Sequence, residues 1–219
     1  MKFFSLDGPI FRIMEKIADL FIVNLLTLFL MAPVITGGAA LTAACKVMQN
    51  MVTDNEQPVF KTYFKTFASE FKHATLAWLI TLVLLAILIY NVTVVYMSFA
   101  GNLQFLLYIM LAVASVVFLG TGCYVFPMIA RYENTFKQHL RNALLLAMAN
   151  LPKTILMLAM YLAPVIIALL SIDVFFRVSI FWLMIGIGLT VYTNAKLMQP
   201  IFQKLEEPEE GSETQENEQ

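Results

Sequence analysis

Five long apolar stretches run through this chain, at residues 17–35, 74–96, 103–128, 154–170 and 174–194. Each is close to the roughly 20 residues that an α-helix needs to cross the hydrocarbon core of a bilayer. The last four carry no charged residue in their centres. The pattern therefore predicts an all-α, polytopic helical membrane protein with about five transmembrane helices.

The first stretch ends in a predicted helix break. Pro33 has no backbone N–H to donate, and Gly37 and Gly38 follow it with little conformational preference. We expect the first helix to stop near Pro33. A small-residue helix is predicted at 39–53, because its alanines would let another helix approach closely.

Aromatic residues recur at helical spacing within residues 58–72, next to the second apolar stretch. One face of the predicted helix carries Phe60, Tyr63, Phe64, Phe67 and Phe71, while Lys61, Lys65 and Lys72 lie largely away from it. A basic amphipathic helix beside a span is expected to lie in the membrane interface with its aromatic face inward. Packing of the same face onto the protein's own helices explains the pattern equally well.

Composition excludes a soluble domain. Hydrophobic residues make up 60% of the chain and charged residues 13%, against about 25% charged in ordinary soluble domains. The net charge of −1 hides an asymmetry, because residues 206–219 hold seven glutamates and no lysine or arginine. Such a segment buries too little apolar surface to fold. We predict an N-terminal segment (1–16), a helical membrane domain (17–204) and a disordered acidic tail (205–219).

The connectors alternate between nearly uncharged and cation-rich. Residues 98–102 carry no charge, whereas residues 39–73, 129–153 and the end of the last stretch are rich in lysine and arginine. The positive-inside rule places the cation-rich segments and the C-terminus in the cytoplasm.

The first stretch fits the charge rule poorly, and two topologies remain open for it. A full span puts the N-terminus, with Lys2, Arg12 and Lys16, on the outside. A re-entrant hairpin that turns at Pro33–Gly38 keeps the N-terminus inside. We favour five spans with an outside N-terminus and keep the hairpin as the alternative.

The sequence contains no catalytic motif. His73 and His139 lie in basic connectors, and Cys45 and Cys123 lack metal-ligand spacing. We therefore predict no enzyme, no cofactor, no metal site and no nucleic-acid partner.

Polar residues inside the first stretch are the other candidates for a site. Asp19 lies close enough to the boundary to pair with Lys16 or reach lipid headgroups. Asn24 and Thr27, one turn apart and deeper, can hydrogen-bond a neighbouring helix or contact a substrate. We favour helix–helix contact.

Several motifs resemble those of the YesL-like bacterial integral membrane family, a domain of unknown function. The first is the run Pro33-Val34-Ile35-Thr36-Gly37-Gly38-Ala39-Ala40-Leu41-Thr42-Ala43. Others are the Phe60 to Phe71 spacing, Phe126-Pro127, Arg131-Tyr132-Glu133-Asn134 and Asn150-Leu151-Pro152-Lys153-Thr154. Ala44-Cys45-Lys46 departs from the family, where aromatic residues are expected.

The resemblance implies an accessory role and no chemistry. Genes of that family often lie beside carbohydrate ABC transporter systems, which implies a multi-pass protein of the bacterial cytoplasmic membrane, in contact with the lipid bilayer and with membrane subunits of a sugar transporter. It singles out two groups of candidate binding positions: Pro33, Thr36, Gly37 and Gly38 at the break, and Arg131, Glu133 and Asn134 where a span meets the cytoplasm.

Two alternative functions remain open. The first is a small transporter or channel, with the break, Asn24 and Thr27 lining a cavity. The second is a membrane scaffold or regulatory protein that uses the acidic tail.

Overall fold

A computed structural model describes residues 9–55 and 57–206 of the chain. These residues form α-helices without any strand. The helices are α1 (Pro9–Met31), α2 (Gly37–Val52), α3 (Val59–Ser69), α4 (Phe71–Ser98), α5 (Gly101–Arg131), α6 (Phe136–Ala149), α7 (Leu151–Leu170), α8 (Ile172–Phe181) and α9 (Ile187–Glu206). A 3₁₀ turn, Val34–Thr36, precedes α2, and a π-helical segment, Trp182–Gly186, joins α8 to α9 in one continuous rod. Residues 1–8 of the predicted N-terminal segment and 207–219 of the predicted acidic tail lie outside the described residues, whereas residues 9–16 belong to α1 and residues 205–206 to α9.

Four helical rods are long and apolar enough to cross a membrane: α4, α5, α7 and the continuous α8–α9 rod. They coincide with the last four apolar stretches, which confirms the prediction of an all-α membrane protein. The first stretch falls in α1, which is not among the four. The first half of α1 contains the charged residues Glu15, Lys16 and Asp19, which interrupt the apolar pattern of that helix.

Helices α1 and α2 form an antiparallel hairpin. The Nζ atom of Lys16, early in α1, lies 2.9 Å from Oδ1 of Asp54, just beyond the end of α2. The two ends of the hairpin therefore lie together, and α1 does not carry the chain from one side of the molecule to the other. A lone span of α1 with the end of α2 on the opposite side does not fit this contact, and the geometry is that of the re-entrant alternative. The side of the membrane on which the N-terminus lies stays a prediction. Proline at position 33 and the tight 3₁₀ turn cause the reversal.

The predicted small-residue helix is confirmed as α2 and is the most deeply buried element. Ala39, Ala40, Ala43 and Ala44 are fully buried. Around α2 pack α1, α3, the start of α4, the C-terminal third of α5 and α9. Because an alanine projects only a methyl group, five neighbours can approach α2 at once.

The core lies at one end of the four rods. In α5, every buried residue lies between Gly120 and Ala130, and within the apolar windows of both α4 and α5 only 6% of residues are buried. We call α1–α3, α6, α9 and residues 120–131 of α5 the body. We call α4, α7, α8 and residues 101–119 of α5 the span region. The body is packed like a small globular domain, whereas the span region leaves most of its apolar surface open.

The amphipathic helix α3 divides its aromatic residues between two environments. Tyr63 is fully buried and packs on the core, whereas Phe60 and Phe64 are 55% and 47% exposed. Lys61 and Lys65 are exposed as expected. Packing onto the protein's own helices therefore accounts for Tyr63, and the exposed phenylalanines keep the geometry expected of an interfacial helix.

Candidate functional site

The helix break is a closely packed joint that is closed by Trp78 of α4. The indole Nε1 of Trp78 donates a hydrogen bond to the carbonyl of Val34 at 2.7 Å. A Cβ atom on Gly37 would lie 2.9 Å from the Trp78 ring, and one on Gly38 would collide with the backbone of Ala74. Both glycines are therefore required by close approach and leave no room for a ligand between them and α4.

The tip of the hairpin is apolar and exposed. Val34 and Ile35 are 61% and 60% exposed. The Thr36 hydroxyl stabilises the turn, because it donates to the carbonyls of Leu30 and Pro33. Of the four break residues singled out by the sequence, Thr36, Gly37 and Gly38 thus hold the turn itself, and Pro33 ends α1.

Asn24 is fully buried between α1 and the α8–α9 rod. Its Nδ2 donates to the carbonyl of Leu183 at 2.6 Å, and its Oδ1 accepts from the backbone N–H of Gly188 at 3.0 Å. These two backbone groups flank the end of the π-helical segment, where the regular hydrogen-bond ladder changes register. Asn24 therefore makes the helix–helix contact that the sequence favoured.

Thr27 belongs to a second buried polar group, one turn away. Its hydroxyl donates to the carbonyl of Val23 at 2.7 Å and lies 3.2 Å from the hydroxyl of Tyr63. Tyr63 also donates to the carbonyl of Ala40 at 3.1 Å. This network joins α1, α2 and α3 and satisfies polar groups that are costly to leave unpaired in an apolar core.

Arg131 takes part in an ion pair at the end of α5. Its Nε and Nη2 donate to the two carboxylate oxygens of Glu206, each at 2.7 Å. The Tyr132 hydroxyl donates to the same carboxylate at 2.9 Å, and the Arg131 guanidinium lies 5.0 Å from the centre of the Phe202 ring. Burial, together with the Glu206 hydrogen bond, raises the pKa of Tyr132 to about 12. This cluster fastens the end of α9 to the end of α5.

Glu133 and Asn134 line a shallow polar cleft of about 580 Å³. The cleft also contains Glu70, His73 and His139. Tyr132 lines the same cleft and bonds to Glu206, so it connects the Arg131–Glu206 pair to the cleft. The backbone is extended at Tyr132 and at Thr135, before α6 begins.

His139 is the unusual residue of this cleft. It is 1% exposed, and within the described residues its Nδ1 has no hydrogen-bond partner. Its ring centre lies 6.3 Å from that of His73. Burial lowers the pKa of His139, and the neighbouring His73 lowers it further. The protonated form of this imidazole is therefore disfavoured in the folded protein.

A larger, charged groove of about 720 Å³ lies where α1, α2 and α3 meet, and no sequence motif indicated it. It includes Arg12, Lys16, Asp19 and Asp54. Lys16 pairs with Asp54, so the first of the two alternatives predicted for Asp19, a pair with Lys16, is not formed. Burial raises the pKa of Asp19. The groove depends on the hairpin, which brings together residues that are nearly 40 positions apart.

The described residues contain no group of three or more histidine, cysteine, aspartate or glutamate side chains arranged to hold a metal ion. Cys45 and Cys123 are both buried and free.

The fold defines a class: a helical membrane protein with four apolar rods and a packed body at one end. The family model described as "Protein of unknown function, DUF624" matches residues 20–92, from the middle of α1 through most of α4. YesL-like proteins belong to that family. The matched region contains the second half of α1, the turn, α2, α3 and Trp78. No curated protein and no solved structure matches the chain.

Proposed function

We propose that this protein is a non-enzymatic accessory component of the bacterial cytoplasmic membrane that associates with the membrane subunits of a carbohydrate transport system. The observation that carries the proposal is an open face of small residues on α5, which runs from the span region to Gly122 at the adjoining edge of the body. The resemblance to YesL-like proteins supplies the class of partner.

The small-residue face lies on α5. It includes Ala112, Ser115 and Gly122, which share one side of the helix. A Cβ atom added at Gly122 would meet nothing within 4 Å, whereas one added at Gly120 would lie 2.6 Å from Cγ2 of Thr154. The chain's own packing therefore requires the glycine at 120 and not the one at 122. Small residues on an open face allow the backbone of a second helix to approach closely, and such contact is what drives helix association in lipid.

The packing of the helix break also favours a partner role over transport by the chain itself. A transport path at the break would need a polar lining and free space, but Trp78 fills this joint. Asn24, the other polar side chain proposed for the lining together with Thr27, bonds to the backbone of the last rod. Thr27 donates to a carbonyl of its own helix and contacts the Tyr63 hydroxyl of α3.

Purification of the full-length protein in mild detergent, from the membranes of its own organism, tests the proposal. Transporter permease subunits are expected to co-purify. Gly122→Leu should reduce their recovery several-fold without lowering the melting temperature. Val113→Trp adds a large side chain at an exposed position on the opposite side of α5 and should leave recovery unchanged. Recovery of the protein alone, with sugar uptake unaltered by deletion of the gene, would contradict the proposal.

A cytoplasmic C-terminus is part of the same proposal. The positive-inside rule supports it through Lys137, Arg141, Lys196 and Lys204, which lie near the body end of the rods. A fluorescent protein fused after Gln219 should fluoresce, and alkaline phosphatase fused there should be inactive. The reverse result would overturn the orientation.

A further inference from the structure

Helix α6 has a buried face and an exposed apolar face. His139, Ala143 and Ala147 recur every four residues and are buried on the side where α6 packs against α5. The opposite side exposes leucine and methionine side chains by 38–55%: Leu140, Leu144, Leu145 and Met148. Such an apolar face requires an apolar environment, since large exposed patches of this kind mark interaction surfaces.

The position of α6 is fixed by its neighbours. It begins five residues after Arg131 and runs back along α5, so that Ala147 lies close to Gly120. Helix α7, one of the four apolar rods, begins directly after it at Leu151. The apolar end of α6 therefore adjoins the foot of α7, where Ile155 and Leu156 are also exposed.

The charges on α6 are ordered along its axis. Lys137 and Arg141, one turn apart and exposed, occupy its first half, and no carboxylate of the described residues pairs with either. Leu144, Leu145 and Met148 occupy its second half. With a rise of about 1.5 Å per residue, Arg141 lies about 10 Å further from the foot of α7 than Met148 does. The apolar residues of α6 are thus nearest the foot of α7, and the two cations lie about 10 Å further from it along the helix axis.

We infer that α6 is a lipid-binding helix. Its second half lies at the boundary of the acyl chains, and Lys137 and Arg141 bind the phosphate groups of anionic phospholipids. The occupant is lipid because the exposed face is continuous with the open surface of α7 and because the order of apolar and cationic residues matches the order of layers in a bilayer. The inference does not depend on the transport partnership proposed above.

The depth of the apolar half is tested by spin labelling in nanodiscs of phosphatidylcholine and phosphatidylglycerol. A label at Leu145→Cys should be relaxed more by oxygen, which concentrates in lipid, than by a water-soluble nickel chelate. A label at Gln203→Cys, on the exposed side of α9, should show the opposite preference. Greater relaxation by nickel at position 145 would place that face in water and overturn the inference. Protection from both reagents would mean that protein covers it, which also overturns it.

The headgroup contact is tested by the double substitution Lys137→Gln and Arg141→Gln. The amount of phosphatidylglycerol retained per protein, in exchange against phosphatidylcholine, should fall by about fivefold for each cation removed. The pair Lys196→Gln and Lys204→Gln changes the net charge equally on α9 and should have little effect. An equal loss with both pairs would show a general charge effect, and no loss with the first pair would remove the headgroup site.

Discussion

The amide side chain of Asn24 accepts a hydrogen bond from the backbone N–H of Gly188, although the two residues are 164 positions apart. The same side chain donates to the Leu183 carbonyl. A single buried asparagine thus pairs with both backbone groups at the place where the α8–α9 rod changes from π-helical to α-helical geometry. It positions α1, and with it the hairpin, against the last rod.

Asn24→Leu is expected to destabilise the protein by about 2–4 kcal/mol, because it leaves two buried backbone groups without partners. The melting temperature in detergent should report the loss. Asn91→Leu is the matched control, since Asn91 is exposed on α4 and donates only to a carbonyl of its own helix. Equal melting temperatures for the two variants would show that the Asn24 contact adds nothing to stability.

Trp78→Phe should cost about 1 kcal/mol, because it removes the indole N–H that pairs with the Val34 carbonyl but keeps most of the ring. The exposed tip should also become easier to cleave in limited proteolysis. Trp182→Phe provides the comparison, since no hydrogen bond of its indole occurs in the described part of the chain. Unchanged cleavage at the tip would argue against a closing role for Trp78.

Gly38→Ala and Gly122→Ala should change stability in opposite directions. The first forces a methyl group against the Ala74 backbone and should cost about 1–3 kcal/mol. The second adds a methyl group in open space within a helix and should gain about 0.5–1 kcal/mol. Thermal unfolding of the two variants against the parent gives the comparison. Destabilisation by Gly122→Ala would mean that this face is already occupied.

A zero-length carbodiimide cross-linker should join Lys16 to Asp54, because their charged atoms are 2.9 Å apart. Mass spectrometry of the digested protein should identify the linked peptides. Asp54→Asn should abolish the link while leaving the fold intact, since both side chains are substantially exposed. If α1 instead crossed the membrane alone, the two residues would lie on opposite sides and no link would form.

His139 should make stability depend on pH. Burial depresses its pKa in the folded protein, whereas the unfolded chain takes up a proton near pH 6.5. The folded protein therefore loses stability as the pH falls below about 6.5 towards the depressed pKa. His139→Gln should flatten the melting temperature between pH 7 and 5. His73→Gln should leave most of the slope, because His73 is about half exposed.

The apolar periodicity of the sequence predicted four rods correctly because a span of about 20 apolar residues has few alternatives to a helix in lipid. The sequence also placed the helix break at Pro33, because proline lacks the backbone N–H that would continue the hydrogen bonds of the helix. The same reasoning did not settle the first stretch. The return of the chain beside α1 depends on packing between α1 and α2, which no local pattern contains, and the exposed Lys16–Asp54 pair reports this arrangement.

At the candidate site, too, the sequence predicted some features and the tertiary contacts decided the others. The sequence pointed to Asn24 and Thr27 as buried polar groups that need partners, but the partners come from α9, α3 and neighbouring carbonyls. Trp78 could have been suspected, as an indole N–H inside an apolar stretch needs an acceptor. The pairing of Arg131 with Glu206, and the place of Glu133 and Asn134 on a cleft, could not be predicted, because both follow from the path of the backbone after α5.

By itself, the sequence determined the helical class, the four rods, the helix break and the composition of the small-residue helix, since each follows from local hydrophobicity, from a missing donor or from side-chain size. Only the tertiary structure decided that α1 and α2 pair as a hairpin, that the core lies at one end of the rods and that α6 exposes an apolar face beside α7. Those features arise from contacts between residues that are distant in sequence, and no local pattern along the chain shows such contacts.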